Sequence, residues 1–329
     1  MKFVLCYLLA LVLSVGVGWI MVPWLRKRKA GQPILGYVKE HNSKAGTPTM
    51  GGWIFILPIT VVYLIMNGLE SSVGTMTIAV MLGYGLVGFL DDFIKIRSGR
   101  NLGLHAYQKL IFQLGIALIV SFFARGLNDS IVLPFVGTEV HLKWLAVPFY
   151  IFLFLAITNG VNLTDGLDGL ATSTSIVCLC FFAVLMAMHV YRGYLSGEVL
   201  NADNEYALIQ LVLCAVGALS GFLLFNCFPA KIFMGDTGSL ALGGLIASVC
   251  VFTEYSLFVP FFGIMFVVSV ISVILQVFSF KVFKRRIFRM APFHHHLQEK
   301  GIAENRVVQI YVAVSVAVSL LLMALTYLR

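Results

Sequence analysis

The stretch WLAVPFYIFLFLAITNGVNLTDGLDGLA, residues 144–171, decides the fold: 144–164 carry no charge, and then two aspartates, Asp165 and Asp168, follow in quick succession. A helix needs about 20 apolar residues to cross the hydrocarbon core of a bilayer. The first part therefore reads as a transmembrane helix, and the acids mark where the chain leaves the lipid. The run is continuous, with no alternation, which argues against a half-buried strand. A helix also satisfies its own backbone in lipid.

The rest of the chain repeats this pattern. Further charge-free spans run 3–25, 45–69, 71–90, 110–124, 169–191, 206–230, 237–253, 255–280 and 307–328. Only 110–124 falls short of a crossing, and Lys109 and Arg125 can snorkel from its ends. Hydrophobic residues are 60% of the 329 and charged residues 12%, roughly half the charge of a soluble domain. The expectation is an all-α polytopic membrane protein: ten transmembrane helices in one domain over 1–329, with no soluble domain. The run from Phe3 to Trp24 is too long for a signal-peptide core and reads as an uncleaved first helix.

A net charge of +8 invites a nucleic-acid reading, but its distribution argues for a membrane topology. Odd-numbered loops hold 6, 4, 0, 1 and 7 Lys/Arg, whereas even-numbered loops hold 0, 2, 1 and 0. By the positive-inside rule the odd loops are cytoplasmic and both termini lie outside. No nucleic acid is expected as a partner; the lipid bilayer is. The β-branched residues flanking PFVGTE suggest a small outer-face β-hairpin near 127–143. The segment KVFKRRIFRMAPF, 281–293, alternates cations with apolar residues. It reads as an amphipathic helix near 282–293 on the inner leaflet, whose cations could also face an anionic substrate.

The acids concentrate the chemistry. Asp91 and Asp92 end the third span, Asp165 and Asp168 follow the fifth, and Asp236 opens the eighth, so loop parity puts all five at one membrane face. Acids at membrane depth are costly and point to function. In GFLDDFIK, 88–95, the adjacent carboxylates repel unless a cation or shared proton relieves them, and Lys95 follows Asp91 at i+4. In NLTDGLDGLA, Asn162, Asp165 and Asp168 step by three and share a face if helical. In MGDTGS, Asp236 stands at a helix start where free N–H groups accept anions. That suits a Mg²⁺–phosphate ligand, with a plain N-cap as the structural alternative. Lys44, Lys95 and Lys231 supply cations for phosphate. Carboxylates, lysines and glycine turns at a cytoplasmic face are the equipment of phosphoryl transfer.

The stretches KAGTPTMGG, GFLDDFIK, NLTDGLDGLA, FNCFPAKIFMGDTGS and APFHHHLQEKG, in this order, resemble the polyprenyl-phosphate N-acetylhexosamine-1-phosphate transferase superfamily over nearly the whole chain. TPTMGG and APFHHH are similar to its phospho-N-acetylmuramoyl-pentapeptide transferase branch. The resemblance implies transfer of phospho-MurNAc-pentapeptide from UDP-MurNAc-pentapeptide to undecaprenyl phosphate, giving lipid I and UMP. It further implies Mg²⁺, a homodimer, and the bacterial cytoplasmic membrane with a cytoplasmic active site. It makes Asp91, Asp92 and Asp236 the catalytic acids, with Asp236 the Mg²⁺ ligand. Asn162, Asp165 and Asp168 would line the nucleotide–diphosphate cleft, while Lys44, Asn226, Phe233 and Gln276 would serve uridine or phosphate recognition, and Lys109 would join them. Direct attack is expected, with Asp91 taking the proton of the acceptor phosphate; the rival is a covalent phospho-sugar enzyme.

His294, His295 and His296 cannot converge on one ion from consecutive helical positions about 100° apart. They read as hydrogen-bond donors to the diphosphate or the MurNAc–peptide end. A sister transferase using UDP-GlcNAc would share the acids but not this stretch. A transporter would carry ionisable groups at the bilayer midplane, where this chain has none.

Overall fold

The computed structural model describes residues 1–28, 46–98, 103–196 and 202–327. Its helices are α1 (Lys2–Lys27), α2 (Trp53–Asn67), α3 (Ser72–Ser98), α4 (Ala106–Leu127), α5 (Ala146–Thr164), α6 (Leu170–Ser196), α7 (Ala202–Asn226), α8 (Gly235–Phe252), α9 (Val259–Phe262), α10 (Ile264–Phe283), α11 (Phe293–Gln298) and α12 (Glu304–Tyr327). Among the described residues nine helices are long and apolar enough to cross a membrane. The all-α polytopic architecture is therefore as expected.

The tenth apolar span differs from expectation. Helix α2 has 15 residues because the expected span 45–69 opens with a turn. Gly51 and Gly52 donate backbone N–H bonds of 2.9 and 3.0 Å to the carbonyls of Phe233 and Met234 there, so this segment pairs with another loop before the helix starts. Conversely 110–124, which looked short, belongs to the 22-residue α4: its polar N-terminal turn extends beyond the charge-free core. The span 255–280 breaks at Gly263, between α9 and α10.

Helix α8 is the axis of the fold. Nearly all of it is buried, packed against α3 and α5, while α7 packs on α1, α2 and α6. Small residues of α8 let neighbours close in, Gly238 toward the start of α2, Ala241 and Gly244 toward α3 and Gly243 toward α5, as van der Waals packing between membrane helices requires. Side-chain hydroxyls add bonds between helices: Ser14 donates to the Ala218 carbonyl at 2.7 Å, and Thr164 to Ser269 at 2.9 Å. The outer hairpin forms as expected. β1 (Ser130–Val132) pairs antiparallel with β2 (Glu139–His141), Ser130 opposite His141. The Ser130 hydroxyl donates to Glu254 at 2.6 Å, which fastens the hairpin to the α8–α9 connection.

The amphipathic helix expected near 282–293 does not form, and this corrects the sequence reading. Helix α10 stops at Phe283, Lys284 adopts φ +54, and 285–292 is an irregular strap. The physical reason is competition for backbone groups. Gln276 on α10 donates to the Phe288 carbonyl at 2.9 Å and accepts the N–H groups of Ile287 and Phe288 at 3.1 and 2.9 Å. Ser279 donates to the Arg285 carbonyl at 2.8 Å. Pro292 also disfavours helical backbone in the residue before it. Helix α11, FHHHLQ, begins only after it.

Candidate active site

The site is assembled where α3 ends, α4 and α8 begin and α5 stops. Asp92 lies in the last turns of α3 and reaches the N-terminus of α8. It accepts the Thr237 backbone N–H at 2.9 Å, the Thr237 hydroxyl at 2.7 Å and the Asp236 N–H at 3.2 Å. A carboxylate there satisfies N–H groups that the helix leaves free and meets the positive end of its dipole. Glycines permit the approach. A Cβ on Gly88 would stand 2.0 Å from the Asp236 carbonyl oxygen, and one on Gly235, at φ +69, 2.4 Å from the Asp92 carboxylate.

Fixed in this way, Asp236 becomes the hub. Its Oδ1 accepts the Asn162 amide at 2.9 Å. Its Oδ2 meets Lys95 Nζ at 3.1 Å and Lys109 Nζ at 2.5 Å. The same two ammonium groups bind Asp91, at 2.6 and 3.1 Å. Asp91 further accepts the Leu104 N–H at 2.7 Å. Two lysines thus bridge two aspartates. Oxygens of Asp91, Asp92 and Asp236 all lie within 4.8 Å of one another. Asp91 and Asp92 are 0% exposed, whereas the Asp236 side chain is 16% exposed. Of the three, Asp236 opens into a cavity of about 280 Å³ that is also lined by Lys95, Asn162, Asp165, Phe233 and His295.

Asp165 is the second acid of this cavity, at the residue just after α5 ends. Burial pushes its carboxyl well above the usual carboxylate range, and the charges of Asp236, Asp92 and Asp168 push it further. A raised acid gives a stability contribution that is present at low pH and lost as pH rises through the raised value. Asp165→Asn removes that titration. The variant is expected to melt higher than the parent at neutral pH, with the difference shrinking on acidification, while turnover falls on the order of 10-fold or more. Thermal melts across pH beside an activity assay check both.

The other sequence candidates divide. Phe233 and His295 line the cavity with Lys95, Asn162, Asp165 and Asp236, and Lys109 joins the ion pairs. Asn162, Asp165 and Asp168 do not share one helix face, because α5 ends at Thr164. Asp168 turns from the cavity and accepts the Ala230 N–H at 2.8 Å. Asn226 is buried, donating to the Ile232 carbonyl at 3.0 Å and accepting the Thr172 hydroxyl at 2.7 Å, so it braces the loop before Phe233. The histidines point three ways. His294 is buried, and its Nε2 faces Gly166, where a Cβ would stand 2.2 Å away. His295 reaches the cavity. His296 accepts the Arg289 N–H at 3.1 Å and packs on Phe288 and Phe293. Lys44 lies outside the described residues.

Gln276 holds the strap and is absent from the lining of the Asp236 cavity. Removing its three backbone bonds, each worth about 0.5–1.5 kcal/mol, should loosen the basic segment. Gln276→Ala is expected to raise tryptic cleavage at Lys281–Arg289 about 10-fold under native conditions, read by mass spectrometry of the fragments. The site also contains residues the sequence did not single out. Thr237 pairs with Asp92, and Thr49 lines the cavity. Their only signal was membership of the GDTGS and TPTMGG stretches.

The site has relatives. The family described as glycosyl transferase family 4 matches residues 72–254, which span α3 to α8. A phospho-N-acetylmuramoyl-pentapeptide-transferase of Desulfitobacterium hafniense is 45% identical over 308 residues, covering 92% of this chain and 91% of the relative. Proteins of the same name from Caldanaerobacter subterraneus, 41% identical over 309 residues and 93% of each chain, and from Clostridium kluyveri, 41% over 325 residues and 97% and 98%, align likewise.

Proposed function

The chain belongs to glycosyl transferase family 4, among the phospho-N-acetylmuramoyl-pentapeptide-transferases, and from that premise we propose how it performs the first membrane step of peptidoglycan synthesis. It is a phosphoglycosyl transferase. The donor is UDP-MurNAc-pentapeptide, the acceptor undecaprenyl phosphate, and the products lipid I and UMP. The observation that carries this reading is the Asp236 hub: Asp236, paired with Lys95 and Lys109, opens with Lys95, Asn162 and Asp165 into one cavity where α3 and α5 end and α8 begins.

A diphosphate in this cavity meets the Lys95 ammonium, which Asp91 and Asp236 hold in place, with Asn162 on the same wall. These groups are fixed before substrate arrives, so they stabilise charge as it develops without reorganising. The acceptor phosphate oxygen attacks the β-phosphorus, and the bond to UMP breaks. A phosphate monoester has a second pKa of about 6, so at neutral pH the acceptor is mostly deprotonated and demands little from a base. Asp91 is sealed beneath Lys95 and Lys109, which suits it to holding those ammonium groups in place more than to taking a proton.

The three clustered carboxylates are hard oxygen donors, and that set fits Mg²⁺. Asp236, the member open to the cavity, would hold the ion; Asp92 has its lone pairs committed to the α8 terminus. Bound there, the ion would supply charge neutralisation on the diphosphate and the leaving UMP. The proposal further places the protein as a homodimer in the bacterial cytoplasmic membrane with the cavity on the cytoplasmic side. The concentration of Lys/Arg in the odd loops supports that orientation.

The test offers purified protein, with undecaprenyl phosphate and Mg²⁺, UDP-MurNAc-pentapeptide and UDP-GlcNAc separately. UMP release from the first supports the reading; release from the second alone removes it. Exchange of labelled UMP into the donor without lipid acceptor would point to a covalent intermediate in place of direct attack.

A further inference from the structure

We propose that Glu304, in the first turn of α12, is a positioning residue for the nucleotide-sugar site. The inference rests on the transferase reading above and extends it to a helix outside the residues matched by the family, 72–254. An acid in a first helical turn has a plain explanation, since it complements the dipole of its own helix. The Glu304 carboxylate goes further. Its Oε1 accepts the backbone N–H of Asp168 at 2.7 Å, across 136 positions of sequence. Asp168 in turn accepts the Ala230 N–H at 2.8 Å. One chain of bonds therefore runs from α12 through the 165–169 loop to the 227–232 loop. The first loop supplies Asp165 and Gly166 to the cavity, and the second leads into Phe233 and Gly235 on its other wall.

Apolar packing reinforces the same joint. Leu167 and Leu170 form a small core with Val307 and Tyr311 of α12 and Met265 of α10, separate from the main core. Tyr311 stands edge-on to His294, whose ring backs Gly166. A loop between two helices is ordinarily among the more mobile parts of a fold. Here α12 clamps it twice, by a charge-assisted bond and by a leucine, directly behind the acid that faces the cavity. Loosening this loop would misplace the Asp165–Gly166 wall of the cavity, against which the donor binds.

The expected signature is selective for the nucleotide-sugar. Glu304→Ala should raise the KM for UDP-MurNAc-pentapeptide about 10-fold, with kcat and the KM for undecaprenyl phosphate each within about 3-fold of the parent. Glu304→Gln keeps an acceptor oxygen and should stay within about 3-fold throughout. Amide hydrogen exchange in the peptide covering 165–170 should quicken in the alanine variant and not in the glutamine variant. Should Glu304→Ala fail to fold, Glu304→Asp, whose shorter side chain falls short of Asp168, supplies the same comparison with Glu304→Gln. An alanine variant with parental donor KM and exchange, losses shared equally by donor and acceptor, or a glutamine variant as poor as alanine would each overturn the proposal. An inactive parent would instead count against the transferase reading, while the exchange comparison would still test the clamp.

Discussion

Asp236→Asn is expected to lower turnover by about 10³-fold or more while leaving the helical bundle intact. A loss of that size corresponds to about 4 kcal/mol of barrier, within the range seen when one preorganised electrostatic group is removed. The reasoning is local. The substitution keeps the shape of the side chain and its place in the first turn of α8, but removes the charge that faces both lysines at 3.1 and 2.5 Å. Asp91 still holds Lys95 at 2.6 Å and Lys109 at 3.1 Å, so neither ammonium is stranded and the fold has no reason to fail. Turnover measured beside circular dichroism and a thermal melt in the same detergent checks this. A variant that unfolds would show the hub to be structural. A fully active one would remove it from the mechanism.

Asp92→Ala is expected to fail differently, losing fold and activity together. Asp92 is wholly buried and serves three donors at the α8 terminus: two from Thr237 and the Asp236 N–H. Truncation leaves those donors buried with no acceptor, at about 1–3 kcal/mol for each unsatisfied group, before relaxation. It also frees Asp236 to drift from Asn162 and the lysines. The variant should melt well below the parent and give less than about 1% of its activity. Asp92→Asn keeps one acceptor oxygen and should recover part of the stability. The pair of aspartates at 91–92 thus separates by role, since Asp91 holds the lysines and Asp92 holds the helix.

Most of this fold is legible in the sequence because charge is so sparse that each helix is bounded by the residues which end it. Loop parity alone brought Asp91, Asp165 and Asp236 to one face, and the structure joins them there. What the sequence hides is decided by contacts between distant segments. That Asp91 is sealed beneath two lysines cannot be seen in GFLDDFIK, because one of those lysines comes from α4. The i+3 spacing of Asn162, Asp165 and Asp168 suggested a shared helical face, but α5 ends at Thr164 and Asp168 serves another loop. The basic stretch after α10 has the composition of an interfacial helix; Gln276 and Ser279 take its backbone groups and make it a strap. Periodicity describes a segment's own preferences, and these three cases turn on partners elsewhere in the chain.

The central claim is that the cavity around Asp236 takes the diphosphate of the nucleotide-sugar. The most direct measurement is a structure of the protein with UDP-MurNAc-pentapeptide and Mg²⁺ in the absence of lipid acceptor. The account predicts the diphosphate beside Lys95, Asn162 and Asp236, with the ion on the Asp236 carboxylate. A diphosphate seated instead against Arg286 and Arg289 of the strap, with the Asp236 cavity empty, would contradict it.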